Sequence, residues 1–406
     1  MDALVVERAE VVVASPGRNF VTLKVTTADG LVGWGDGTLN GRELAVATYL
    51  SEHVAPLLVG RDAHAVERTW QYLYRGAYWR GGPVGMAALA AVDVALWDLK
   101  AQAVGLPLYQ LLGGASRTGC LAYTHASGRD VPELLAAVEE HRSAGYRAIR
   151  VQAGTPGSAS AYGVASTGAA YEPAAPGGRP AVETWDTRAY LRFVPTVFEA
   201  ARARFGPELA LLHDAHHRLT PTEAVQLGRS LEPYDLFWLE DVTPAEDQAL
   251  LRQVRAGTAV PLALGEVFTS PWDANVLLTE RLIDYLRASV THAGGVTGLR
   301  KMLGLAELHQ VRSGCHGPTD VSPVGMAAAL HLGLAIHNFG VQEHMPHAPL
   351  TDEAFPHAYR FADGLLHPGD EPGLGVRLDE ELAARYPYER AYLPVAQLQD
   401  GTVHDW

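Results

Sequence analysis

The stretch Leu209-Ala210-Leu211-Leu212-His213-Asp214 runs an apolar segment into an acid, and the pattern returns twice, as Leu236-Phe237-Trp238-Leu239-Glu240 and Pro261-Leu262-Ala263-Leu264-Gly265-Glu266. Successive acids stand 26 residues apart in both steps. That interval holds one strand, one helix and two loops, the repeat of a (β/α)8 barrel whose parallel strands send their C-terminal ends to one face. Asp214, Glu240 and Glu266 are therefore expected together at the mouth where barrel enzymes carry their chemistry. A lone strand-end acid more often caps a helix or pairs with a surface arginine. Three in step would repel one another unless a hard divalent cation with oxygen ligands lay among them, and Mg²⁺ is the expected ion.

Working outward, the remaining barrel strands can be counted. Cys120–Thr124 ends at His125, Ala148–Gln152 carries Arg150, Ile283–Arg287 is the sixth, and the last two end at His316 and Glu343. The Gly, Ala, Ser and Pro-rich run at about 153–180 follows the second strand, a position that suits a lid. In front, residues 4 to 36 read as a strand meander with an Asp29-Gly30 turn, and helical patterns cover roughly 42–80 and 85–104. The expected class is α/β: a modified, TIM-type (β/α)8 barrel over 116–354, with an α+β capping domain over 1–115 completed by a segment at about 355–406.

A net charge of −14 argues against nucleic acid or an acidic membrane as partner. No apolar run approaches ~18 residues without charge, and Met1-Asp2-Ala3 begins no basic, apolar leader, so a cytoplasmic protein is expected. Cys120 and Cys315 are too few for a disulfide framework and are expected to be buried thiols.

The three acids, the cap in front, and Gln110-Leu111-Leu112-Gly113-Gly114 at the junction resemble the enolase superfamily. Asp214-Ala215-His216, Arg150, Tyr162, His316-Gly317-Pro318-Thr319-Asp320 and the terminal His404-Asp405-Trp406 make the chain more narrowly similar to the D-mannonate dehydratase family. The resemblance implies that Asp214, Glu240 and Glu266 bind Mg²⁺, that Tyr162 with Arg150 serves as base, and that His216 is the acid. It also implies that Asn40, His125, Arg287, His316, Asp320, Glu343 and Trp406 line the site of an acid sugar. A homo-oligomer is expected on the same ground. One motif departs: efficient members have Ala where Pro318 stands, and Pro is commoner among weakly active or gluconate-accepting relatives.

The chemistry gives each group a reason. Removing the C2 proton of a sugar acid beside its ionised carboxylate builds charge that only a metal and cationic donors can hold. The chain's three lysines, Lys24, Lys100 and Lys301, fall at no expected barrel mouth, and Arg150 occupies the strand-two place instead. Arg150 stays protonated and suits lowering a neighbour's pKa, with the Tyr162 phenol as that neighbour. His216, two residues beyond Asp214 on an extended strand, would share its face and donate a proton to the departing C3 hydroxyl. His213 and His217 would point the other way, as structural or surface residues. His316 reads equally as a second acid, a carboxylate binder or a core residue. Glu343 reads as a surface ion pair, or as a hydrogen-bond partner of substrate hydroxyls or of His316. Dehydration of D-mannonate or D-gluconate to the 2-keto-3-deoxy acid is the leading expectation. Epimerisation of an acid sugar and a regulatory sugar-acid or lactone binder are the alternatives.

Overall fold

A computed structural model describes residues 3–155, 182–393 and 395–405, which belong to two compact units. The first unit comprises Met1–Cys120, Glu266–Asn275 and Arg287–Glu389, and the second Leu121–Gly265, Val276–Leu286 and Arg390–Trp406.

In the first unit β1 (Val6–Ala14), β2 (Phe20–Thr27) and β3 (Val32–Asp36) form an antiparallel meander. The pairing of β1 with β2 is interrupted by a bulge between Val6 and Arg8. The helical stretch expected over 42–80 is broken. A helix α1 (Glu43–Tyr49) passes through a π turn and a 3₁₀ turn containing Pro56, reverses at Gly60, and resumes as α2 (Val66–Gly76). Proline supplies no backbone donor and Gly60, at φ +78°, tolerates a turn that side-chain-bearing residues resist, so the periodic apolar pattern cannot continue as one helix.

The centre of the unit is α3 (Gly82–Ala103), whose buried residues include six alanines. It is long and apolar enough to cross a membrane, yet 72% of its apolar window is buried within the protein. The sheet meets it backbone to backbone. A Cβ built on Gly33 would stand 2.4 Å from the Ala95 carbonyl oxygen, and one on Gly35 1.8 Å from that of Ala91. α3 packs against the helix Gly295–Leu308, and the same unit holds the parallel pair β11 (Arg312–Cys315) and β12 (Phe339–Glu343) and the hairpin β13 (Arg360–Ala362) with β14 (Leu365–His367).

The second unit carries β4 (Cys120–Gly128), β5 (Ala148–Ala153), β7 (Ala210–Asp214), β8 (Trp238–Glu240), β9 (Leu262–Leu264) and β10 (Tyr285–Leu286), hydrogen-bonded in that order and all parallel. Each of the eight expected barrel strands is thus present. Between β5 and β7 comes β6 (Val182–Thr184), which pairs parallel with β15 (Val395–Gln397), itself antiparallel to β16 (Val403–His404). The chain end is therefore tied in register to the segment that follows residues 156–181. His404 Nε2 adds a contact at 3.1 Å to the carbonyl of Arg218.

Two buried carboxylates hold α3 in the first unit. Asp98 accepts from the backbone N–H of Trp34 at 3.1 Å and of Leu374 at 2.8 Å. Asp93 accepts from Thr297 N at 2.9 Å, in the first turn of the helix Gly295–Leu308, while its Oδ1 has no hydrogen-bond partner among the described residues. Burial outweighs these donors and raises Asp93 to about 7 and Asp98 to about 6. For a carboxyl raised in the folded state, the stabilisation is complete below the unfolded value of 3.8 and is lost as pH rises through the folded one. Asp93→Asn cannot titrate, so its stability deficit relative to wild type should be larger at about pH 5 than at about pH 8 in urea unfolding. Parallel pH profiles for the two proteins would overturn this.

Candidate functional site

In the second unit the parallel register makes Asp214 and Glu240 Cα partners, the last residues of β7 and β8, with side chains fully buried. Arg150, on β5, lies across both. Its Nη1 donates to Asp214 Oδ2 at 2.8 Å and to Glu240 Oε1 at 3.2 Å, and its Nη2 stands 3.0 Å from His125 Nδ1 on β4. Trp238, beneath, donates its indole N–H to Glu240 Oε2 at 2.7 Å. The sequence expectation that Arg150 sits at the strand-two position beside the acids holds in this geometry.

Asp241 is a site residue that strand alternation conceals. In an extended strand it would point away from Glu240, but its φ is +43°, and its carboxylate is brought to the same place. Asp214, Glu240 and Asp241 each offer an oxygen within 4.8 Å of the others, all buried. An all-oxygen donor set of this kind suits a hard divalent cation. The acid pair Glu240-Asp241 at a strand end was the available signal.

The histidines beyond β7 depart from the alternation argument. β7 ends at Asp214, and His216 and His217 have φ of +54° and +62°. The chain therefore turns before His216, and its backbone N–H donates to Asp214 Oδ1 at 2.7 Å. His216 is thus fixed to the first acid by a turn, not by a shared strand face. His217 does not point to a purely structural place either: its Nε2 lies 3.9 Å from Asp241 Oδ2 and its Nδ1 3.1 Å from the Thr243 carbonyl. His213 is a core residue. Burial lowers it to about 4, and the neutral ring lies between the Val151 carbonyl at 3.0 Å and the Tyr190 hydroxyl at 2.7 Å.

The first unit assembles a second group. Arg287 is wholly buried, and its Nη2 donates to Glu266 Oε2 at 3.2 Å and to Glu343 Oε2 at 3.1 Å. Glu343 also accepts from Gly317 N at 3.0 Å, so it is an internal ion-pair partner and not a surface one. His316 Nε2 lies 3.7 Å from Glu266 Oε2. His292, which the sequence reading did not single out, packs its ring 6.0 Å from that of His316. Burial holds it below the ordinary histidine value, reinforced by His316 and opposed by Asp320. Glu266 itself follows β9 after Gly265, whose φ is +135°. Asn40 is half-buried in the loop after β3, and Asp320 is half-buried with Oδ1 unpaired among the described residues. Cys120 and Cys315 are buried free thiols, pushed up to about 12 by burial. Tyr162, the expected lid and Trp406 lie outside the described residues.

Residues 9–113 match the mandelate racemase / muconate lactonizing enzyme N-terminal domain, and residues 133–382 the enolase C-terminal domain-like family. A D-galactonate dehydratase family member of Streptomyces bingchenggensis is 62% identical over 98% of this chain and 97% of its own length. A D-mannonate dehydratase of Caulobacter sp. (strain K31) is 58% identical over 98% of each. Among solved structures, an enolase from Pantoea ananatis with bound D-gluconate and Mg superposes with a TM-score of 0.91 at 35% identity, covering 99% of this chain and 100% of that one. The fold class is accordingly a (β/α)8-type barrel with an α+β N-terminal capping domain. With whole-length relatives at this identity, the chain belongs to the D-mannonate and D-galactonate dehydratase family of the enolase superfamily.

Proposed function

We propose that the protein is a Mg²⁺-dependent dehydratase that converts D-mannonate, D-gluconate or both to 2-keto-3-deoxy-D-gluconate. The observation that carries this reading is the register of two buried carboxylates, Asp214 against Glu240, with a third oxygen from Asp241 beside them and Arg150 across them. The relatives named D-mannonate dehydratase and the D-gluconate and Mg in the Pantoea structure support it.

In this reading Asp214, Glu240 and Glu266 would hold the cation. When bound, the cation supplies positive charge against the substrate carboxylate, where negative charge grows as the C2 proton leaves. Tyr162 takes that proton. Arg150, anchored by Asp214 and Glu240, keeps a permanent positive charge on β5 and favours the ionised phenol. His216, tethered to Asp214 through its backbone, delivers a proton to the departing C3 hydroxyl, so that water leaves. Asn40, His125, Arg287, His316, Asp320, Glu343 and Trp406 line the substrate.

The cation ligands can be tested on EDTA-stripped protein titrated with Mg²⁺. Asp214→Asn, Glu240→Gln and Glu266→Gln should each abolish turnover with the fold retained, and Asp241→Asn should weaken Mg²⁺ affinity by roughly 10–100-fold. Normal activity in any two of the first three variants removes the site. The proton-transfer roles separate by isotope exchange. His216→Asn should lose dehydration yet still exchange the C2 hydrogen with D₂O, whereas Tyr162→Phe should lose both. Wild-type exchange and dehydration in Tyr162→Phe would exclude it as the base. Pro318 accounts for the choice between the two acid sugars: it removes a backbone donor and fixes φ in the loop between His316 and Asp320. Pro318→Ala should raise mannonate dehydration, and unchanged rates on both acids would exclude the loop as the cause.

A further inference from the structure

Asp320 sits in a loop that is fastened on both sides of it by residues far away in sequence. On one side, Arg18 Nη1 donates to Thr319 Oγ1 at 2.9 Å, a buried bond between residues 301 apart. On the other, His347 Nε2 lies 2.9 Å from the Val321 carbonyl oxygen. A carbonyl only accepts, so the imidazole donates. Burial holds His347 below the ordinary histidine value, with Asp352 and the Val321 carbonyl opposing and His357 and Arg18 assisting, so the ring is neutral and its one N–H is committed to Val321.

Both fasteners are themselves built in. Arg18 follows Gly17 in the turn from β1 to β2, where φ is +87° and an added Cβ would stand 2.9 Å from Thr351 Oγ1. That hydroxyl donates to the Pro16 carbonyl at 2.6 Å, and Asn19 exchanges two bonds with the backbone of Glu389, at 2.6 and 3.1 Å. Phe20, next in the chain, packs edge-on against the His347 ring at 6.2 Å. The turn is thus a rigid mount. The loop is closed by Val321 N donating to the Pro318 carbonyl at 3.0 Å and by Ser322 N donating to Asp36 Oδ2 at 2.8 Å. What this frame leaves unpaired is Asp320 Oδ1, a buried acceptor without a hydrogen-bond partner among the described residues.

We propose that Arg18 and His347 are positioning residues that hold Asp320 ready to accept a hydrogen bond from a substrate hydroxyl. This deepens the dehydratase reading and rests on it only for the identity of the ligand. Each bond is small by itself, but a sub-ångström shift of a substrate-facing group costs rate out of proportion to the bond.

The test has two arms. The first needs no substrate: amide hydrogen exchange over residues 316–322 should accelerate in Arg18→Met and in His347→Phe, which keeps an aromatic ring against Phe20. The milder Thr319→Val, which removes only the acceptor, should resemble Arg18→Met. Unchanged exchange in the loop overturns the proposal whether or not the protein dehydrates any acid sugar. The second arm is kinetic, on an acid sugar that the wild type dehydrates. Arg18→Met and His347→Phe should each lower kcat/KM about 10–100-fold, mostly through KM, at unchanged Mg²⁺ affinity, and Arg18→Lys should recover part of the loss. In an Asp320→Ala background Arg18→Met should add nothing. Full additivity there, or losses confined to melting temperature, overturns the role in positioning Asp320. A wild type that dehydrates no acid sugar overturns the function reading instead, and the exchange arm then decides this proposal alone.

Discussion

Like charges buried together are the constraint around which this molecule is arranged. Asp214 and Glu240 are register partners at adjacent strand ends, both removed from water, with Asp241 folded back beside them. Removing a carboxylate from water costs several kcal/mol even after relaxation, and neighbouring carboxylates add repulsion. The protein meets that cost with a guanidinium in each unit. Arg150 lies across Asp214 and Glu240, and Arg287, wholly buried, lies across Glu266 and Glu343. An arginine is the side chain for this purpose because its planar fork remains charged and can serve two carboxylates at once. A network of this kind is poor evidence for stability and good evidence for a site, since an apolar core of the same volume would be cheaper.

The groups set around these charges follow the same logic. His213 is kept neutral by burial and spends its nitrogens on Val151 and Tyr190, which makes it a support for β7 and not a participant. His216 is tethered by its backbone to the acid it follows. In the first unit Glu343 fixes both Arg287 and the backbone of Gly317, so a single carboxylate links the ion pair to the loop that ends in Asp320.

Much of this was legible in the residues. The 26-residue interval gave the strands and their direction because a parallel strand, its helix and two loops occupy a nearly fixed length of chain. Scarcity of lysine turned attention to Arg150 on the second strand. What the residues concealed was local backbone geometry and long-range contact. Asp241, His216 and His217 adopt positive φ just beyond strand ends, where period-two reasoning lapses. The break between α1 and α2 was signalled by Pro56 and Gly60 but is masked by an unbroken apolar pattern. The bonds from Arg18 to Thr319 and from Asp93 to Thr297 join residues hundreds apart, and no spacing rule addresses them.

The contact between Arg150 and His125 has a further consequence. Every hydrogen-bonding group on a guanidinium is a donor, so at 3.0 Å the facing nitrogen of His125 must offer its lone pair. That assigns the tautomer: Nδ1 is bare and the ring proton sits on Nε2. His125 is therefore a one-directional group. On that side it can only accept, so the guanidinium and the imidazole hold each other in one relative orientation.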